Sequence, residues 1–292
     1  MKLSLIILFF ISISSSAVGQ SGDDLHSWVR GIEGRTPEGR REWVKKQLKK
    51  IGIPHRTEAF SRTLKFGTME RTIAGENIIA TIGKGRKNIV VGAHYDAVPR
   101  SPGANDNGGG VAVLLGLLHW SKSVEWNHRI TFCFFDQEET GLNGSHEFAR
   151  TYADSSVHLA MINLDVEGMG DALFVGPVGG GDDDVLLPFV RQAAKTLAVP
   201  YHETDAYPPS DHLSFAQRNL ENISVSVVPS PDVPLLIETV KSGWQPDPSR
   251  LPEVLKLMHT PRDSSTYVSP DALSLSFRLV KQTLTLLNES LR

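Results

Sequence analysis

The chain has 292 residues, 40% of them hydrophobic, with 30 Lys and Arg set against 33 Asp and Glu for a net charge of −3. That is enough apolar sequence for one large buried core, and a near-neutral, dispersed charge excludes the electrostatic footprint of a nucleic-acid or anionic-membrane binder. A single cysteine, Cys133, excludes an intrachain disulfide; set within the apolar run from Ile130 to Phe135, it reads as an inert buried residue.

Lys2 precedes an apolar run from Leu3 to Ile13, and Ala17-Val18-Gly19 offers the small residues a signal peptidase reads. The run is 11 residues long, whereas a helix needs roughly 20 to span a bilayer. A cleaved signal peptide over residues 1–19 is therefore predicted. A single domain over residues 20–292 follows, since no linker or internal repeat divides it. The mature protein is expected to be secreted or periplasmic, with no membrane partner, and stabilised by its core or by bound metal.

Thr36-Pro37-Glu38 reads as an N-cap, a first helical residue and an acidic first turn. Trp43, Val44, Leu48 and Ile51 follow at helical spacing until Gly52. From Arg56 to Thr72 the pattern alternates irregularly, and from Glu76 to Ile82 it is rich in β-formers, so an antiparallel hairpin edge is expected. The run from Asn88 to Ala93 suits a fully buried strand. It gives way to His94 and Asp96, then to Asp106, Asn107, three glycines and an apolar helix from Val111 to Ser123. Asp106 thus sits at a loop-to-helix junction, where a helix cap and a functional carboxylate are competing readings.

Further on come a strand from Arg129 to Phe135, a helix from Gly144 to Tyr152 and strands from Leu159 to Leu164 and Ala172 to Val175. A helix from Asp183 to Leu197 is expected next, its acidic start at Asp182 to Asp184 favoured by the macrodipole. A strand from Ile223 to Val228 leads into a long surface loop from Pro229 to Pro252, which carries six prolines. Ser269-Pro270-Asp271 caps a last helix reaching about Leu291. Strands alternating with helices predict an α/β fold with a mixed, mostly parallel central sheet and helices on both faces.

Three strands end alike: Ala93 before His94 and Asp96, Phe135 before Asp136-Gln137-Glu138-Glu139, and Leu164 before Asp165. In open parallel sheets the ligand site lies beyond the carboxyl ends of the strands, so these residues converge. Clustered carboxylates repel unless a cation compensates them. His with Asp and Glu, and no thiolate, suits a zinc that keeps a position open. The number of donors exceeds what one such zinc uses, so a two-metal site with a shared carboxylate fits better.

The HxD at His94 to Asp96, the segment GANDNGGG holding Asp106, the pair Glu138-Glu139 before Thr140-Gly141, Asp165 in INLDVEG, and HTPRD from His259 to Asp263 resemble the co-catalytic two-zinc exopeptidases. That family holds the secreted bacterial leucyl aminopeptidases, glutamate carboxypeptidase and the glutaminyl cyclases. The likeness runs from about Asn77 to the C-terminus. It implies the zinc-dependent exopeptidase fold, with His94 and Asp165 on one zinc, Glu139 and His259 on the other, and Asp106 bridging the two. It also implies Glu138 as general base, Asp96 orienting His94, and a cis peptide between Asp106 and Asn107. The chemistry agrees: a hydroxide shared by two zincs is a nucleophile near neutral pH, and Asp263 is expected to orient His259 as Asp96 does His94. The activity implied is removal of N-terminal residues from peptides with a free N-terminus.

Met258 departs from the pattern, because aminopeptidases of the family often carry Tyr at that position to stabilise the oxyanion. His212, in SDHLSF, is the candidate donor in its place, and it also rivals His259 as a ligand. Two other readings remain: a single-zinc acyltransferase like the glutaminyl cyclases, and a non-catalytic binding ectodomain of the same fold. Retention of His94 and Asp165 argues against the first, and retention of every ligand and the base against the second. Sequons at Asn143, Asn222 and Asn288 matter only in a eukaryotic secretory pathway.

Overall fold

Ser21 forms a capping box with Asp24, each side chain accepting the other's backbone N–H, and so starts helix α1 (Gly22–Ile32). Sequence reading passed over this helix. Thr36 caps α2 (Pro37–Ile51) by accepting the Gly39 N–H at 3.1 Å, and Gly52 ends it at φ 75°. The computed structural model describes residues 20–290 apart from 68, 153, 155, 180–183 and 246. The expected signal peptide therefore lies outside the described residues.

Among the described residues, eight strands form one sheet. They are β1 (His55–Phe66), β2 (Met69–Ile82), β3 (Asn88–His94), β4 (Arg129–Phe135), β5 (His158–Leu164), β6 (Ala172–Gly176), β7 (Tyr201–Glu203) and β8 (Asn222–Val228), in the order β1-β2-β4-β3-β5-β8-β6-β7. β1 and β2 make the expected antiparallel hairpin, and β2 joins β4 antiparallel. The central β4, β3, β5 and β8 are parallel, while β6 runs antiparallel to β8 and parallel to β7. The sheet is mixed and mostly parallel.

Side chains on the strands alternate between two cores, as a period of two dictates. Ile89, Val91, Ala93, Phe132 and Phe134 face one layer, together with α1, α2, α3 (Gly110–Ser121), α5 (Leu187–Leu197) and α9 (Pro270–Ser290). Val90, Cys133 and Phe135 face the other, against Phe148 and Phe215 of α4 (Asn143–Tyr152) and α6 (His212–Ala216). Cys133 is fully buried there, as its sequence context predicts. Truncating a core residue such as Phe132 to Ala costs about 3–5 kcal/mol, and this packing is what holds the strand ends in place.

Two expectations need correction. α5 begins at Leu187, not Asp183, and Glu221 accepts the Val185 and Leu186 N–H groups just before it at 2.9 and 2.5 Å; Asp182 and Asp183 of the acidic run lie outside the described residues. The proline-rich stretch after β8 is not a loop throughout: it holds α7 (Asp232–Lys241), followed by α8 (Glu253–Leu257). Pro234 is tolerated because it falls in the first turn of α7, where no N–H is owed to the helix. Asn143 and Asn288 of the sequons are buried, and Asn288 accepts the Asn127 N–H at 2.8 Å while donating to the Glu125 carbonyl at 2.9 Å. No described helix is long and apolar enough to cross a membrane.

Candidate metal centre

The carboxyl ends of β3, β4 and β5 deliver His94, the Glu138-Glu139 turn and Asp165 to one point, and the loop after α8 brings His259 to the same place. Asp106 comes from a tight turn at Ala104–Gly109, with a cis peptide between Asp106 and Asn107. The helix-cap reading of Asp106 fails on geometry. Asn107 Oδ1 accepts the Gly110 N–H at 2.9 Å and so caps α3, while its amide donates to the Leu164 carbonyl at 2.8 Å. Asp106 is left free to face the cleft.

His94 Nε2 lies 3.3 Å from Asp106 Oδ1 and 3.5 Å from Asp165 Oδ1. His259 Nε2 lies 3.0 Å from Asp106 Oδ2 and 3.1 Å from Glu139 Oε2. Two donor triads thus share Asp106, one through each oxygen. Tetrahedral zinc with bonds near 2.0–2.1 Å sets its ligand atoms about 3.3 Å apart, which these separations match. Buried Asp165 Oδ1 and Glu139 Oε1 have no hydrogen-bond partner, as befits atoms reserved for a cation. His94, Glu138 and Glu139 also bring donor atoms within 4.8 Å of one another. The donor set fits zinc.

Electrostatics agree. Burial alone would lower the His94 pKa, yet Glu138, Asp106, Asp165 and Asp96 raise it well above its usual value. Contacts with Asp106 and Glu139 push His259 up to about 10. Burial opposes ionisation of Asp106, but the two imidazoles outweigh it and hold the carboxyl well below its ordinary range. Burial raises Glu138 well above a normal carboxyl, with His94 opposing and the neighbouring carboxylates adding to the rise. The cluster has more negative charge than the protein itself balances, and a bound dication is the natural counterpart.

Supporting residues fix this geometry. Asp96 Oδ1 is 3.4 Å from His94 Nδ1, too long for a well-formed hydrogen bond. Its firmer role is at the turn after β4, where its two oxygens accept the Glu138 and Glu139 N–H groups at 3.1 and 3.2 Å. Asp263 also differs from expectation: its oxygens take the Asn105 and Asp106 N–H groups rather than the His259 ring. The backbone turns through positive φ at Gln137 (60°), Val166 (63°) and His259 (62°), an arrangement disfavoured for non-glycine residues and concentrated at functional sites.

His212 sits elsewhere than predicted. It is buried and absent from the cleft lining, with Nδ1 2.8 Å from Ser224 Oγ. Behind Asp165, Asn163 Nδ2 donates to Ser210 Oγ at 2.8 Å and Ser224 Oγ at 3.1 Å, and Ser210 donates to Asp165 Oδ2 at 2.7 Å. With both hydroxyls accepting from Asn163, Ser224 has its proton free for His212 Nδ1. That bond leaves the ring proton on Nε2. Burial lowers His212 to about 4, so the ring is neutral at pH 7. Sequence reading gave no role to Asn163 or Ser210, although both lie within motifs it had singled out, INLDVEG and SDHLSF.

A cleft of about 230 Å³, partly open to solvent, lies over the cluster. Its floor is His94, Asp106, Glu138, Glu139, Asp165 and His259; its wall is apolar, built from Phe174, Tyr207, Val228, Leu236, Val254 and Trp244. Met258 also lines it.

The sequence profile of peptidase family M28 matches residues 77–284. Aminopeptidase YwaD of Bacillus subtilis is 28% identical over 198 residues, which make up 66% of this chain and 39% of that protein; the chain spans about two fifths of that relative's length. BSAP, a zinc aminopeptidase from Bacillus subtilis, matches in fold with a TM-score of 0.72 at 16% identity, over 91% of this chain and 94% of that one. The glutaminyl cyclase of Porphyromonas gingivalis matches with a TM-score of 0.70 at 20% identity, over 91% of this chain and 98% of the other. The fold is therefore common to a peptidase and a cyclase. With a profile match over most of its length, the chain belongs to peptidase family M28.

Proposed function

We propose that the protein is a secreted zinc aminopeptidase that binds two zinc ions and removes N-terminal residues from peptides. His94 and Asp165 would hold one ion, Glu139 and His259 the other, and Asp106 both. The observation carrying this reading is the make-up of the cleft: its floor is rich in carboxylates and no Lys or Arg lines it among the described residues. Such a floor attracts a substrate ammonium and repels a terminal carboxylate. The apolar wall suits an apolar side chain on the residue to be removed.

Zinc held there supplies a Lewis acid and acidifies water. The protein's own part is proton movement and orientation. Glu138, on the cleft floor beside Glu139 and His94, takes the proton of the attacking water and returns it to the leaving nitrogen. Asp96 holds the Glu138-Glu139 turn so that neighbouring carboxylates serve different ends.

A panel of aminoacyl anilides and short peptides tests the proposal. Free amines should be cleaved, N-acetylated substrates should not, and C-terminal amidation should make little difference. Cleavage that requires a free C-terminus would make the protein a carboxypeptidase. Release of ammonia from N-terminal Gln, with no peptide cleavage, would make it a cyclase.

A further inference from the structure

Arg40, on α2, is 1% exposed and is the only Lys or Arg buried so deeply among the described residues. Its guanidinium has no carboxylate bonded to it. Nε donates to the Tyr95 carbonyl, Nη1 to that of Pro102 at 3.1 Å and Nη2 to that of Gly103 at 3.1 Å. All three acceptors belong to the segment that runs from His94 to Asp106. Gly103 is itself shaped for this contact: its φ is 64°, and a Cβ there would fall 2.9 Å from Arg40 Nη1 and 2.6 Å from the Ala97 Cβ. The Gly34 N–H also donates to the Pro102 carbonyl, at 2.8 Å. Burial lowers Arg40 to about 10, with Asp96, Asp106, Asp263 and Glu139 opposing, so it stays charged at pH 7.

We propose that Arg40 is a positioning residue of the metal centre, its planar three-way clamp holding the Tyr95–Gly103 loop so that Asp96 and Asp106 meet the other donors. The residue lies outside the 77–284 stretch matched by the family, so the N-terminal helices of this chain take part in its site. The proposal rests on the zinc reading above. Charge and position make opposite predictions here. Deleting a buried cation beside carboxylates draws a dication in more strongly, whereas freeing the loop weakens its binding. A loss of zinc affinity therefore reports position.

The test measures zinc affinity of the metal-free full chain by chelator competition, for the parent, Arg40→Ala and Arg40→Lys, alongside Tm without metal. Arg40→Ala should bind zinc about 10- to 100-fold more weakly, the range for lost supporting contacts. Millimolar guanidinium should restore several-fold of that loss by refilling the clamp. Arg40→Lys keeps the charge but has only a single donor nitrogen, and should stay weakened; if Arg40→Ala does not fold, this variant decides. Parent-like affinity in the variant that decides, or a loss in Arg40→Ala that guanidinium leaves untouched, overturns the proposal. A parent that binds no zinc would instead sink the metal reading itself.

Discussion

Asp263 accepts the backbone N–H of Asp106 at 3.2 Å with one oxygen and that of Asn105 at 2.7 Å with the other. The loop that supplies His259 therefore also sets the backbone of the carboxylate shared by both donor triads. Burial raises Asp263 to about 6, and the bound N–H groups limit the rise.

Asp263→Asn should show what that bond contributes. An amide would turn an NH2 group toward one of the two backbone donors, leaving a buried N–H unpaired at a cost of about 1–3 kcal/mol. Expected are a lower Tm and zinc binding weakened about 10- to 100-fold, read by calorimetry and chelator competition. Unchanged zinc binding would show that Asp106 is held by other contacts.

Glu138 and Glu139 are neighbours with different proposed tasks, and amide substitution separates them. Glu138→Gln should keep its zinc while kcat falls by roughly 10² to 10⁴, the scale for a lost general base, with KM much less affected. Glu139→Gln should weaken metal binding first, and excess zinc should recover part of the rate. Near-normal turnover in Glu138→Gln, or zinc loss there with retention in Glu139→Gln, would reverse the assignment.

The strand ends were legible in the sequence because parallel strands buried on both faces read as unbroken apolar runs. His94, Asp106, Glu138, Glu139, Asp165 and His259 line the floor of one cleft, as the motifs led one to expect. What stayed hidden depends on contacts distant in sequence. Arg40 serves carbonyls 55 to 63 positions away, and a lone Arg on an amphipathic helix carries no sign of that. Nor does the SDHLSF motif reveal that Ser210, not His212, touches Asp165. α7 was missed because prolines signal loops unless they fall within a helix's first turn.

The apolar wall should set the preference for the N-terminal side chain. Leu and Phe derivatives should be cleaved faster than Asp or Lys derivatives, since a charged side chain would be desolvated against Phe174, Leu236 and Val254 without a partner. Leu236→Asp should lower kcat/KM for Leu substrates about tenfold or more and leave zinc content unchanged. Equal rates across side chains would mean that the side chain binds elsewhere.

His212 should make stability depend on acid in a particular window. Burial holds its folded pKa at about 4, against an ordinary 6.5. Between those values the unfolded chain takes up the proton and the folded one does not, so stability falls as pH drops from about 6.5 to about 4. The loss is up to about 3 kcal/mol on a scale of 1.36 kcal/mol per pKa unit. Asp211 works the other way: burial raises it to about 7, so its protonation favours the folded state over part of the same range. Comparing the parent with His212→Gln isolates the histidine, because Asp211 is common to both. The variant should be less stable at pH 7, having disturbed the bond to Ser224, and its deficit should shrink as the pH falls toward 4. Urea unfolding of metal-free protein at pH 7, 5.5 and 4.5 measures this. Parallel stability curves would mean that His212 takes up its proton in the folded state and is not held neutral by burial.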